Sequence, residues 1–333
     1  MRPSSVPPFP TPPQRGARLL ADVGGTHARL AWQDTSGAPL TEVATYACAQ
    51  HESLLATIRQ YLRERERPLP QRCAIGIANP VVGDRVQMTN HGWSFSISAL
   101  QRSLGLERLV VLNDFTALAL SLPALDDRQR VRIGGGLPEQ GPMALIGPGT
   151  GLGVSGLVWG PGGVCVPLSG EGGHVTLAAA DDQEAAVVAL LKRRFGHASA
   201  ERALSGPGLV NLYQALCTLR QLPVHPGWDA AAISAAALAG QDAQCVDALD
   251  MFCSLLGTAA GNLALTLGAR GGVYLGGGIL PRLGAGFLER SRFRERFEAK
   301  GRFAGYLREV PTYLIVADPS PALLGAARAL DLH

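Results

Sequence analysis

The chain has 333 residues, of which 47% are hydrophobic and 17% charged, with a formal net charge of +3. This length accommodates one large domain or two ordinary ones and buries a sizeable core without staples, while a small, scattered charge argues against nucleic acid as the main partner. Six cysteines (Cys48, Cys73, Cys165, Cys217, Cys245, Cys253) form no C-x-x-C pair, which argues against a zinc framework and predicts free, mostly buried thiols.

The first residues, Met1 to Arg15, are rich in proline and lack the apolar core of a signal peptide. Residues 1–17 are expected to be a disordered tail with polyproline character. Leu19 to Asp22 predicts a buried strand, Val23-Gly24-Gly25-Thr26 a turn, and Ala28 to Trp32 the returning strand of a hairpin. Leu54, Leu55, Ile58 and Leu62 lie at helical spacing, and Tyr61 to Arg67 predicts a solvated helix face. Cys73 to Ala78 and Leu109 to Leu112 predict two further buried strands. The second leads through Asn113-Asp114 into a helix over Phe115 to Leu122.

A second hairpin follows, with strands at Met143 to Ile146 and Val154 to Trp159 around Gly147-Pro148-Gly149-Thr150-Gly151-Leu152-Gly153. Its layout repeats the first hairpin and suggests an internal duplication. Helices are expected around Glu184 to Phe195, Gly208 to Leu219 and Ala243 to Leu267. The apolar run from Met251 to Leu267 is broken by Asn262 and filled with small residues, so it predicts a buried core helix rather than a membrane span. A strand at Gly272 to Leu275 runs into Gly276-Gly277-Gly278, and a last strand, Tyr313 to Val316, precedes a closing helix from Pro321 to Leu330.

Glycine-rich turns expose consecutive backbone N–H groups and make anion nests suited to phosphate. Three stand out: Gly24-Gly25-Thr26, Gly149-Thr150-Gly151 and Gly276-Gly277-Gly278. Each alone also reads as a plain tight turn. A Walker loop is excluded, because the two lysines, Lys192 and Lys300, follow no glycine in that pattern, and a dinucleotide fingerprint is excluded by the strand expected after Gly153. Asp22 beside a phosphate nest would repel the ligand unless a divalent cation lies between them; otherwise it bonds turn amides.

Asn113-Asp114 is either a helix N-cap or a ligand site beyond a strand's carboxyl end. In the second reading Asp114 is the base that takes a proton from an attacking sugar hydroxyl. In Glu171-Gly172-Gly173-His174, glycines admit a ligand to the backbone, and Glu171 and His174 match a polyol's donors and acceptors; a surface turn is the plainer alternative. Glu201 precedes the loop Ser205-Gly206-Pro207-Gly208 and by itself reads as a solvated helix residue. Asn90, in Thr89-Asn90-His91-Gly92-Trp93, could also meet a polyol.

Together these segments resemble one family. Asp22-Val23-Gly24-Gly25-Thr26, Thr89 to Ile97, Asn113 to Ala117, Gly149 to Gly153, Gly170 to His174, Ser199 to Arg202, Leu204 to Gly208 and Gly276 to Ile279 are similar, in order, to the bacterial glucokinases of the non-ROK type. The resemblance implies a two-domain α/β fold of the actin-like ATPase (ribonuclease H-like) kind, with a cleft that closes on glucose. The expected bounds are a small domain over 18–124 plus 314–333 and a large domain over 125–313. It implies ATP:glucose 6-phosphotransferase activity, the first step of glycolysis, with Asp114 as catalytic base. Asn113, Glu171, His174 and Glu201 would hold the sugar, with Asn90 nearby. Gly24, Gly25, Thr26, Gly149, Thr150 and Gly151 would hold phosphates, Gly276, Gly277 and Gly278 the adenosine, and Asp22 would hold Mg²⁺ through water. A cytoplasmic homodimer with glucose and ATP as its partners, and with neither nucleic acid nor membrane, completes the expectation. His27 stands where the family usually has asparagine. Competing readings are a glucose-binding regulator with little turnover, a kinase for another hexose, and a filament-forming ATPase, in which the polar set around Asn113 would have no purpose.

Overall fold

A computed structural model describes residues 16–88, 91–317 and 321–332. The expected tail therefore lies mostly outside the described residues. Ala17 does not belong to it, because its carbonyl accepts from the backbone N–H groups of Gln71 (3.1 Å) and Arg72 (3.3 Å).

The chain divides into two compact units: residues 1–124, 157–169 and 318–333, and residues 125–156 and 170–317. This differs from the expected bounds in two places. Residues 157–169 go with the first unit, where Ser169 accepts a hydrogen bond from Thr116 (3.3 Å). Residues 314–317 go with the second, because the strand Thr312–Ile315 is hydrogen-bonded there.

In the first unit, β1 (Arg18–Val23), β2 (His27–Gln33), β3 (Thr41–Ala47), β4 (Arg72–Ile77) and β7 (Arg108–Asn113) form a sheet of order β3-β2-β1-β4-β7, with β5 (Arg85–Gln87) and β6 (Ser94–Ser96) as a separate ribbon. β1 pairs antiparallel with β2 and parallel with β4, and β4 parallel with β7. The central strand is apolar on both faces because both are covered. Leu19, Ala21 and Val23 join a core with α1 (Leu54–Glu64), while Leu20 packs with Leu323 and Ala326 of the C-terminal helix (Ala322–Ala329) and with Leu330 just after it. Each fully buried leucine removes apolar surface worth roughly 1.5–3 kcal/mol. Arg18 is fully buried and pairs with Asp331 (2.6 Å), tying the chain's end to its first strand.

The solvated face expected over Tyr61 to Arg67 holds only in part. Tyr61 is fully buried, α1 ends at Glu64, and Arg67 lies beyond it, doubly hydrogen-bonded to Glu42 and over the Trp32 ring. A charge alternation carries no information about tertiary partners, and these decided Arg67. Helix α2 (Ile97–Ser103) follows the ribbon, and α3 (Asp114–Ser121) follows β7.

The second sheet contains β8 (Arg130–Gly134), β9 (Met143–Pro148), β10 (Leu152–Trp159), β11 (Cys165–Ser169), β12 (Gly272–Leu275) and β13 (Thr312–Ile315), in the order β11-β10-β9-β12-β13-β8. Its first five members repeat the plan of the first sheet, a three-strand meander extended by parallel strands, and β8 is an antiparallel addition. The second unit's core is built on α4 (Asp182–Phe195), α5 (Gly206–Leu219), α6 (Ala230–Leu238) and α7 (Ala243–Leu267). Helix α7 is long and apolar enough to cross a membrane, but 72% of its most apolar window is buried in the protein. All six cysteines are free, and all but the half-buried Cys165 are buried.

Candidate active site

In the first unit, the site residues sit where apolar strands end. Asp22, near the end of β1, faces Arg29 across the hairpin, and their side chains pair at 3.3 Å. Burial pushes the Asp22 carboxyl above its ordinary value, and Arg29 opposes that rise only partly. The Gly24–Thr26 turn is closed by a Gly24 N–H to His27 carbonyl bond (2.9 Å). Cys48 supports it from behind, its backbone N–H donating to Thr26 (2.8 Å) and its thiol to the Gly24 carbonyl (3.5 Å). Thr26 and His27 remain exposed.

Asn113 ends β7 and caps α3: its Oδ1 accepts from the N–H groups of Phe115 (3.0 Å) and Thr116 (3.3 Å). The cap reading is thus correct for Asn113. It leaves Asp114 as the first helical residue, with Oδ1 accepting from the Phe115 N–H (2.9 Å). Burial first, and the nearby Asp22 charge second, push the Asp114 carboxyl up to about 6. A carboxyl near that value is ionised at neutral pH and still basic enough to accept a proton. Gly76 of β4 lies beneath it, where a Cβ would stand 3.7 Å from the Asp114 Cα and 3.0 Å from the Ala117 Cβ.

In the second unit, the two glycine segments meet. Gly149 donates to the Gly151 carbonyl (2.8 Å) across the β9–β10 turn, and Gly276 donates to Ile146 (2.9 Å). Gly277 has φ +79°, and a Cβ there would fall 2.3 Å from the Pro148 carbonyl oxygen, so only glycine fits. Thr150 and Gly278 are exposed.

Glu171 precedes and His174 closes a 3₁₀ turn (Gly172–His174), joined by a His174 N–H to Glu171 carbonyl bond (3.0 Å), and both are exposed. Glu201 lies in another such turn (Ala200–Arg202), and its Oε2 accepts from the Leu152 N–H (2.9 Å). It is therefore no solvated helix residue. Asn90 lies outside the described residues.

The sequence reading missed Arg29, Cys48 and the link from Glu201 to Leu152. Arg29 was legible in principle, since Asp22 and Arg29 sit symmetrically about the hairpin turn. The other two join residues distant in sequence and left no signal. Among the described residues, no group of three or more His, Cys, Asp or Glu side chains could hold a metal ion. Asp22 and Asp114 are instead half-buried carboxyls, both pushed up, and the Asp22 charge helps to raise Asp114, a repulsion that a divalent cation would relieve. Such a donor set suits Mg²⁺, which uses one or two carboxylates together with water and phosphate oxygens.

The glucokinase family model matches residues 19–333. The glucokinase of Aromatoleum aromaticum is 58% identical, with 94% of each chain covered. That of Chromobacterium violaceum is 51% identical over 96% of this chain and 91% of its own. Among solved structures, a glucokinase from an Antarctic psychrotroph superposes with a TM-score of 0.85 at 38% identity, covering 95% of this chain and 99% of the other. Two α/β units of repeated plan, the strand-end carboxylates and a match over nearly the whole chain converge: the chain belongs to the glucokinase family, with that family's two-domain actin-like ATPase fold.

Proposed function

We propose that this glucokinase moves the terminal phosphoryl group of ATP to the 6-hydroxyl of glucose, with Asp114 as the base. The carrying observation is Asp114 itself, a half-buried carboxyl at the start of α3 with its pKa raised to about 6. Phosphoryl transfer needs positioning and charge stabilisation more than covalent help. Asp114 orients the attacking hydroxyl and takes its proton as the oxygen–phosphorus bond forms, and ADP leaves with the electrons of the broken bond. Asn113, Glu171, His174 and Glu201 hold the other hydroxyls, and a wrong sugar would leave these polar groups unpaired. Gly24–Thr26 and Gly149–Gly151 supply N–H groups to the phosphates, and Gly276–Gly278 lie beside the adenosine. Mg²⁺, held through water by Asp22, would neutralise phosphate charge.

The product, glucose 6-phosphate, opens glycolysis. ATP as donor and six free thiols suit the reducing cytoplasm, and a homodimer is part of the same reading. A coupled assay for glucose 6-phosphate, run with ATP, Mg²⁺ and a panel of hexoses, tests it. Turnover with glucose, at a kcat/KM at least about tenfold above that for mannose, is expected. Glucose binding in a calorimeter without turnover on any hexose would contradict the reading and favour a sugar-sensing regulator.

A further inference from the structure

The second unit places the carboxylate expected to meet the sugar directly on the turn expected to hold phosphate. Glu201 Oε2 accepts from the N–H of Leu152, the residue that follows Gly151, at 2.9 Å. A Cβ added to Gly151 would lie 2.5 Å from that same oxygen. The segment carrying Glu201 holds the turn at a second point, since the Gly206 N–H donates to the Gly149 carbonyl at 2.8 Å and Ser205 Oγ donates to the Glu201 carbonyl at 2.8 Å. The other sugar loop converges on the same peptide. A Cβ on Gly173 would fall 2.1 Å from the Leu152 carbonyl oxygen, so the loop between Glu171 and His174 rests on it. Leu152 is thus gripped at its N–H by Glu201 and covered at its carbonyl by Gly173.

We infer that Glu201 is a positioning residue for ATP as well as a sugar ligand, and that the Leu152 peptide couples the two sites within this unit. The inference rests on the glucokinase reading above. A carboxylate has two oxygens, so one can stay on the Leu152 N–H while the other meets a sugar hydroxyl. Glucose then fixes the Glu201 rotamer and with it the phosphate turn, and by linkage bound nucleotide raises glucose affinity by the same factor. A Glu201 that served the sugar alone would produce no such effect on ATP.

Gly151→Ala tests this from the phosphate side. The new methyl meets the far end of a flexible side chain, so the fold is kept and the carboxylate is displaced. Glucose affinity, measured by calorimetry without nucleotide, should fall by about tenfold, although Gly151 is itself no sugar ligand. The complementary pair is Glu201→Ala and Glu201→Gln. The first should raise the KM for ATP at saturating glucose by about tenfold. The second keeps an acceptor for the Leu152 N–H and should restore that KM to within about threefold of wild type while glucose binding stays weak. A folded Gly151→Ala protein with wild-type glucose affinity, or Glu201→Ala with an unchanged KM for ATP, overturns the coupling. Should Gly151→Ala fail to fold, the Glu201 pair decides alone. Wild-type turnover on glucose separates the outcomes: its presence with no coupling defeats this inference only, and its absence defeats the glucokinase reading and this inference with it.

Discussion

The two glycine turns share a plan and differ in what stands around it. In both units a buried strand enters a Gly-Thr turn and returns antiparallel, and the neighbouring strand on the other side runs parallel. Four residues before the threonine, the first unit has Asp22 and the second has Ile146, which is 2% exposed. The first turn therefore has half-buried acids beside it, Asp22 and Asp114, and the Asp22 charge raises the cost of ionising Asp114. The second has no acid in its strand and is held by glycine contacts and by Glu201. Under the proposed function one supersecondary unit would serve two tasks: the backbone would supply a phosphate nest in both, and the side chain at one strand position would decide whether an acid stands beside it.

The largest predicted effect that separates the two halves is at Gly277. An alanine there must leave φ +79° and clear the Pro148 carbonyl. Gly277→Ala should raise the KM for ATP by more than about tenfold and destabilise the protein by roughly 1–3 kcal/mol. Its glucose affinity without nucleotide should change far less, which steady-state kinetics and calorimetry would reveal. An intermediate effect is expected at Asp22. Asp22→Asn removes the charge that helps hold Asp114 up, so the acid limb of the pH–rate profile should move to lower pH, with a weaker response to Mg²⁺. An acid limb that stays in place would mean that burial alone sets the Asp114 value.

A third effect is on stability and leaves the chemistry aside. A carboxyl raised from 3.8 to about 6 in the folded state makes the native protein hold a proton that the unfolded chain has released. Stability from this group is therefore lost as pH rises from about 4 to 6, and the penalty is complete above that window. At roughly 1.4 kcal/mol per pH unit it approaches 3 kcal/mol at neutral pH. Asp114→Asn should accordingly melt at a higher temperature than wild type at pH 7.5, with about a third of that gain left at pH 4.5. Equal melting temperatures at both pH values would show that the carboxyl is not held up by the fold.

Much of this was legible in the sequence because the site hangs on the most buried elements. β1, β9 and β12 are short, mostly buried apolar runs with Asp22 and the glycines at or just beyond their ends, while Asp114 follows the half-buried β7. Helix α7 showed itself through length and small residues. The missed elements include edge pieces and the alanine-rich α6, which has no amphipathic period to read. β3 reads TEVATYA, mostly exposed or half-buried, and β8 has a single buried residue, so neither has a hydrophobic period to detect. The short helices after Leu280 are fixed by what they pack against, not by propensity. At the site, residue types and order were legible, whereas the partners were not: Arg29 on Asp22, Cys48 behind Gly24, and Glu201 on Leu152 are all products of tertiary register.

The most direct test of the central claim is the pH dependence of kcat/KM for glucose and of kcat, for wild type and Asp114→Asn. With Asp114 as the base, wild-type kcat/KM should fall on the acid side with an apparent pKa near 6. The variant should be at least about 100-fold slower at pH 7.5 and should lack that acid limb. A variant that keeps wild-type kcat, or keeps the same acid limb, would contradict the role of Asp114.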